Sequence, residues 1–236
     1  MRRILAGMTD PARARAAMVA DQLRTRGITD ERVLAAMGAV PREAFVPESY
    51  RREAYADEAL PIEAGQTISQ PYMVAAMTQH LAVRTGDRIL EIGAGSGYQA
   101  AVLAWLGAHV TSLERQAALI APARARIEAL GSNLVPGPNP ALDPSQPGSV
   151  EIREGDGSLG DPTGAPWDGI IVTAAAPCVP DALREQLRDG GRLVIPVGTR
   201  DRQLLTIVTR HGDEWIERTD GYCVFVPLIG RGGFKA

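Results

Sequence analysis

The residues of this chain whose types and spacing could do chemistry sit at the ends of short apolar runs. "LEIGAGSGYQ" (90–99) places Gly93, Gly95 and Gly97 directly behind one such run. Glycines let a backbone approach a bound molecule closely. Glu114 closes the next run, "HVTSLE" (109–114), and Asp156 follows a third, in "EGDGSLG". A carboxylate at the position of Glu114 can accept both hydroxyls of a ribose. A carboxylate or backbone group at Asp156 could accept from an adenine amino group. Each feature alone also has a plain reading: a tight strand-to-helix turn, an exposed helix cap and an Asp-Gly turn.

The three together are more specific than any one. They describe a nucleoside held without a diphosphate cradle, which matches S-adenosylmethionine. Position 98 is tyrosine, where the dinucleotide fingerprint would need glycine, so an NAD oxidoreductase is disfavoured.

These positions need a scaffold, and the pattern predicts one. Asp10-Pro11 reads as a cap and first helical residue, with a helix running to about Arg26 and stopped by Gly27. Thr29 can cap a second helix through Met37, and Pro71 starts a third to about Leu81. From Arg88 onward, strands at 88–92, 109–114, 150–154, 167–175 and 192–198 alternate with helices at 97–107, 116–131 and 179–191. Pro122 should kink the second of these or mark its first turn. Such alternation means right-handed βαβ units and a mostly parallel sheet. Two strands at 203–210 and 221–230 should then add antiparallel at one edge. The segment 131–149, rich in proline and glycine, reads as a turn-rich surface insertion. The expected division is an N-terminal helical segment, 1–82, and a core, 83–236, forming one compact domain.

Composition narrows the function class. A net charge of −3 gives no electrostatic footprint for nucleic acid, and no basic run suggests an anionic membrane. No stretch reaches the roughly 18 apolar residues of a membrane span. The start, "MRRILAGMTD", is too short in its apolar part for a signal-peptide core. Cys178 and Cys223 cannot make a disulfide framework, so a reducing, cytoplasmic setting is expected, and a monomer. Cys178, Trp105 and Met77 read as packing residues. His80, His109 and His211 are scattered without metal-ligand spacing, so no metal is expected.

The strings "GQTISQPYMVAAM" (65–77), "LEIGAGSGYQAAVLA", "GDG", "WDGIIVTAAAPCVPDALREQLRDGGRLVIPVG" and "FVPLIG" together resemble protein-L-isoaspartate O-methyltransferases over roughly residues 15–230. The resemblance implies a Rossmann-like, S-adenosylmethionine-dependent methyltransferase with antiparallel C-terminal strands and N-terminal helices. It implies methylation of the free carboxylate of L-isoaspartyl residues in damaged proteins and peptides, with S-adenosylhomocysteine as product. The ester would close to a succinimide and reopen partly as normal aspartate. By the same resemblance, Ser69 is the active-site serine. Gln66, Thr67 and Ile68 lie against the donor, and Gly93-Ala94-Gly95 hold its methionine end. Glu114 with Arg115 takes the ribose, and Asp156 with Gly157 the adenine side. Phe225 to Leu228 would help hold the peptide. The insertion at 131–149 departs from the family pattern.

This chemistry accounts for the lack of acids and bases in "GQTISQP". A free α-carboxyl, with a pKa near 3.5, is ionised at neutral pH and needs no general base. What remains is positioning, which a hydroxyl can provide. A fixed cation would also stabilise the charged ground state, which the reaction neutralises. The plain alternative is that Ser69 only caps the helix at Pro71. Two further readings stand beside repair: the same reaction on an aspartate of one dedicated ribosomally made peptide, and a non-catalytic S-adenosylmethionine-binding module.

Overall fold

The computed structural model describes residues 10–131 and 148–235. Most of the proline-rich segment 131–149 therefore lies outside the described residues, as does the start of the chain. Asp10 caps α1 (Pro11–Ala17), accepting the Ala12 N–H at 3.0 Å. The helix then loosens into a π-helical stretch over Met18–Leu23 and a tight final turn, and it stops at Gly27 with φ of 92°. The second helix, α2 (Glu31–Ala39), is capped by Asp30 rather than by Thr29. Asp30 Oδ1 accepts the Arg32 N–H at 2.9 Å, while the Thr29 N–H donates to Gln79 at 2.8 Å. A short antiparallel hairpin, β1 (Leu60–Pro61) and β2 (Thr67–Ile68), precedes α3 (Pro71–Leu81).

Strands β3 (Arg88–Ile92), β4 (His109–Glu114), β5 (Ser149–Glu154), β6 (Trp167–Val172) and β7 (Leu187–Gly198) lie parallel, and β8 (Gln203–His211) and β9 (Glu214–Cys223) complete the sheet antiparallel. The order is β5-β4-β3-β6-β7-β8-β9. The chain thus reverses its direction of winding at β3, and a crevice opens beyond the carboxyl ends of the strands there. Register brings those ends level: Ile92 pairs with Leu113 on one side and Val172 on the other, and Glu114 pairs with Glu154.

Alternation along each strand divides the apolar residues between two faces. Ile89, Ile171, Val194 and Ile207 pack with α1 to α3 and with α4 (Tyr98–Trp105) and α5 (Ala117–Leu130). Leu90, Ile170, Leu193 and Val208 pack with Trp167 and with α6 (Asp181–Glu185). Every residue of α4 is buried, as its largely apolar sequence requires, and its one side-chain amide, Gln99, donates to Thr78 Oγ1 at 2.9 Å. Met77 on α3 is 1% exposed, and truncating it to alanine would cost about 2–5 kcal/mol. Trp105 is likewise core.

Three further expectations need correction, and a fourth is narrowed. The helix expected over 179–191 ends at Glu185, because Leu187 pairs with Trp167 and "DGG" forms a bulge before Arg192 pairs with Gly169. The last strand starts at Glu214, not 221, after a turn at Gly212 (φ 60°), and the chain leaves the ladder at Cys223. Of the two expectations for Pro122, the first-turn one falls, because Pro122 lies inside α5. Cys178 is exposed rather than packed.

Candidate active site

Beyond the carboxyl ends of β3, β4 and β6 lies a cleft of about 280 Å³. Its floor is the turn after β3. Gly93, with φ of 94°, donates to Leu113 O at 2.8 Å, and its carbonyl accepts the Thr173 hydroxyl at 2.7 Å. The positive φ costs glycine little. A Cβ at Gly93 would lie 2.5 Å from Thr173 Oγ1, so the bare backbone is what leaves room there. Gly97, with φ of 90°, then turns the chain into α4.

Glu114 lines the cleft and is 5% exposed. Its Oε2 accepts the Gly95 N–H at 3.0 Å and its Oε1 the Gln116 N–H at 2.8 Å. A carboxylate has about four acceptor sites, so about two remain for a diol. Arg115, exposed, and the backbone of Gly157 also line the cleft. Asp156 is not among its lining residues. Its Oδ1 accepts from Ser158 N at 3.0 Å and Ser158 Oγ at 2.6 Å, and its Oδ2 accepts the Arg231 N–H at 2.9 Å. Burial alone would raise its pKa, but these donors and the Arg115 charge hold it below the usual carboxylate value. About one acceptor site remains on Oδ2.

Gln66 and Thr67 close the cleft from the hairpin side, with Gly65 beside them. That hairpin turns at Glu63–Gly65, where Ala64 (φ 56°) and Gly65 (φ 66°) are both left-handed. Arg126 of α5 forms an ion pair with Glu63 and so clasps the turn to the core. Burial works against ionisation of Glu63, but its own backbone N–H and Arg126 hold its pKa low.

Ser69, Ile68 and Ala94 are not on the large cleft but on a recess of about 40 Å³ shared with Gly93, Gly95 and Tyr98. A third recess, about 30 Å³, joins Ser69 to Met73, Val224, Phe225 and Val226. Thr67 and Thr173 line all three spaces. The three spaces therefore adjoin one another at these two threonines, the third of them beside Ser69 and the "FVPL" segment. Ser69 is half-buried, and α3 is capped at Gln70 with no side-chain hydrogen bond. Capping by Ser69 is therefore not what the local geometry displays.

Sequence reasoning missed Thr173. The available signal was its place directly after β6, the same strand-end position that drew attention to Gly93 and Glu114. It also missed Glu91. That side chain is buried beneath the glycine turn, and Ser112 Oγ donates to its Oε2. Burial pushes its pKa up to about 8, Ser112 opposes this, and the nearby Glu114 charge adds to it.

Comparison with known proteins gives the family and the fold. Residues 14–233 match the family Protein-L-isoaspartate(D-aspartate) O-methyltransferase (PCMT). The chain is 53% identical over 223 residues to the Protein-L-isoaspartate O-methyltransferase of Methylorubrum populi, covering 94% of this chain and 97% of that protein. It is 50% identical to the protein of that name from Methanoregula boonei, covering 92% and 94% respectively. Among solved structures, a candidate enzyme of this type from Plasmodium falciparum, in complex with S-adenosyl-L-homocysteine, superposes with a TM-score of 0.75 at 25% identity, over 91% of this chain and 98% of that one. The chain belongs to the protein-L-isoaspartate(D-aspartate) O-methyltransferase family.

Proposed function

We propose that this protein methylates the free carboxylate of L-isoaspartyl residues in damaged proteins and peptides, with S-adenosylmethionine as donor. The observation that carries the reading is that the large cleft and the two recesses at Ser69 adjoin one another at Thr67 and Thr173. A donor in the cleft and a carboxylate at Ser69 would then meet beside these two threonines.

The cleft fits the donor by its own chemistry. It offers a carboxylate with free acceptor sites at Glu114, apolar walls at Leu113 and Leu119, and a glycine floor that a Cβ would fill. When bound, S-adenosylmethionine supplies a sulfonium methyl group. Gly93 and Gly95, with Gln66 and Thr67, would hold its methionine end where the cleft adjoins the recess of Ile68 and Ala94, Glu114 and Arg115 its ribose, and Gly157 its adenine, with Asp156 bracing that turn through Ser158. Ser69 Oγ donates to one oxygen of the substrate carboxylate and leaves the other free to react. No residue takes a proton, because the carboxylate arrives ionised. Thr173 Oγ1 donates to the Gly93 carbonyl and so fixes the edge at which the cleft and the recesses meet. The cytoplasm is the proposed setting, in keeping with an exposed free thiol at Cys178.

The test is methyl incorporation from labelled donor into two peptides that differ only in isoaspartate or aspartate at one position. Incorporation confined to the isoaspartyl peptide supports the reading. Equal incorporation into both, or none into either, overturns it.

A further inference from the structure

Gln203 opens β8, and its side chain turns inward until the residue is 1% exposed. Its carboxamide is used at both ends. Nε2 donates to Thr199 O at 2.5 Å and Arg200 O at 3.1 Å, within the turn that joins β7 to β8. Oε1 accepts the Phe225 N–H at 2.9 Å. Phe225 is two residues past the end of β9, so this N–H has left the ladder, and the residue is 8% exposed. A buried N–H without a partner costs free energy comparable to a lost hydrogen bond. Gln203 supplies the missing acceptor.

Phe225 lies between Val224 and Val226, and all three line the recess that contains Ser69. Downstream, the same segment is fixed to the sheet's end: Ala175 N donates to Val226 O at 2.8 Å, and Leu228 N to Ala175 O at 2.7 Å. The rim facing Ser69 is thus pinned at two points, Gln203 on one side and Ala175 on the other. Gln203 itself lines none of the three spaces.

We propose that Gln203 is a positioning residue for the substrate peptide: through Phe225 it sets where the Val224–Val226 rim stands relative to Ser69. This rests on the isoaspartyl reading above. Loss of the acceptor frees the rim, so the peptide must order it on binding, which weakens peptide capture without touching the donor cleft. A purely structural role would lower stability and shift every kinetic constant together.

The experiment is steady-state methylation of an isoaspartyl peptide by the parent, Gln203→Met and Gln203→Glu, with calorimetric titration of S-adenosylhomocysteine into each. Methionine keeps the volume but removes both polar functions; glutamate, held protonated by burial against the Thr199 and Arg200 carbonyls, keeps one donor for them and an acceptor for the Phe225 N–H. Gln203→Met should raise the peptide KM about 5- to 30-fold, with kcat and cofactor affinity within about twofold of the parent. Gln203→Glu should stay within about threefold of the parent KM. An unchanged KM in Gln203→Met, or a joint fall of kcat, peptide capture and cofactor affinity, overturns the proposal. Should the methionine variant not fold, Gln203→Glu decides: a KM raised about tenfold or more overturns it, and a retained KM supports it. A parent that leaves the peptide unmethylated overturns both this proposal and the function it rests on, whereas a methylating parent with unmoved variants overturns this one alone.

Discussion

Glu114 Oε2 lies 3.0 Å from the backbone nitrogen of Gly95. The second oxygen of the same carboxylate takes the Gln116 N–H. One side chain at the end of β4 therefore ties the glycine turn after β3 to the entry of α5. Hydrogen bonds to an ionised acceptor are stronger than neutral ones, so the turn is held in shape before any ligand arrives.

Glu114→Ala should remove both this bracing and the charged acceptors offered to a ribose. Loss of a charge-assisted contact is worth roughly 1.5–3 kcal/mol, so S-adenosylhomocysteine affinity should fall about 10- to 150-fold. Calorimetric titration reads this directly; an unchanged affinity would remove Glu114 from the site.

Gly93→Ala tests the floor of the cleft. The backbone at φ of 94° disfavours any side chain, and the added methyl would meet Thr173 Oγ1. The conformational cost alone is about 1–2 kcal/mol, or about 2–8 °C in melting temperature for a chain of this size. Donor affinity should fall as well, because Thr173 must move. A variant that melts and binds like the parent would show that the turn has more room than its geometry indicates.

Glu91 gives a pH prediction. Its folded pKa of about 8 lies above the ordinary value of 4.5, so between those limits the folded chain holds a proton that the unfolded chain has released. The stabilisation is complete below about pH 4.5 and is lost as pH rises towards 8, at up to about 1.4 kcal/mol per pH unit. Glu91→Gln should flatten that slope, with Ser112 still donating to the amide oxygen. Denaturant melts of both proteins at pH 5, 6.5 and 8 check it; parallel slopes would mean that Glu91 ionises normally.

Much of the scaffold was legible because punctuation and period agreed. Pro71 and the apolar period after it mark α3 to the residue, and "RILEI" and "HVTSLE" match β3 and β4. The misses have physical causes. From Glu214 to Tyr222 every residue of β9 is exposed, so the strand carries no apolar alternation to detect. "LREQLRDGG" has helical composition, yet pairing of Leu187 with Trp167 overrides it. Asp156 reads locally as an Asp-Gly turn or a ligand contact. Its bond to the Arg231 N–H depends on a segment 75 residues away, which no local pattern reports.

Positioning without proton transfer predicts a pH–rate profile that rises only near the substrate carboxylate pKa, at about 4, and is flat from pH 5 to 7. A change centred between pH 6 and 7 would point to an enzymic base. Any change nearer pH 8 should vanish in Glu91→Gln.

The most direct test of the account is the single-turnover rate of methyl transfer by Ser69→Ala, with donor and isoaspartyl peptide both saturating at neutral pH. Ser69 lies on the recess beside the glycine turn and on the recess walled by Val224–Val226, but not on the donor cleft. Loss of its hydrogen bond to a charged group should slow transfer by about one to two decades, while S-adenosylhomocysteine affinity stays near that of the parent. A rate equal to the parent's would contradict the account, since the carboxylate would then be aimed by something other than Ser69.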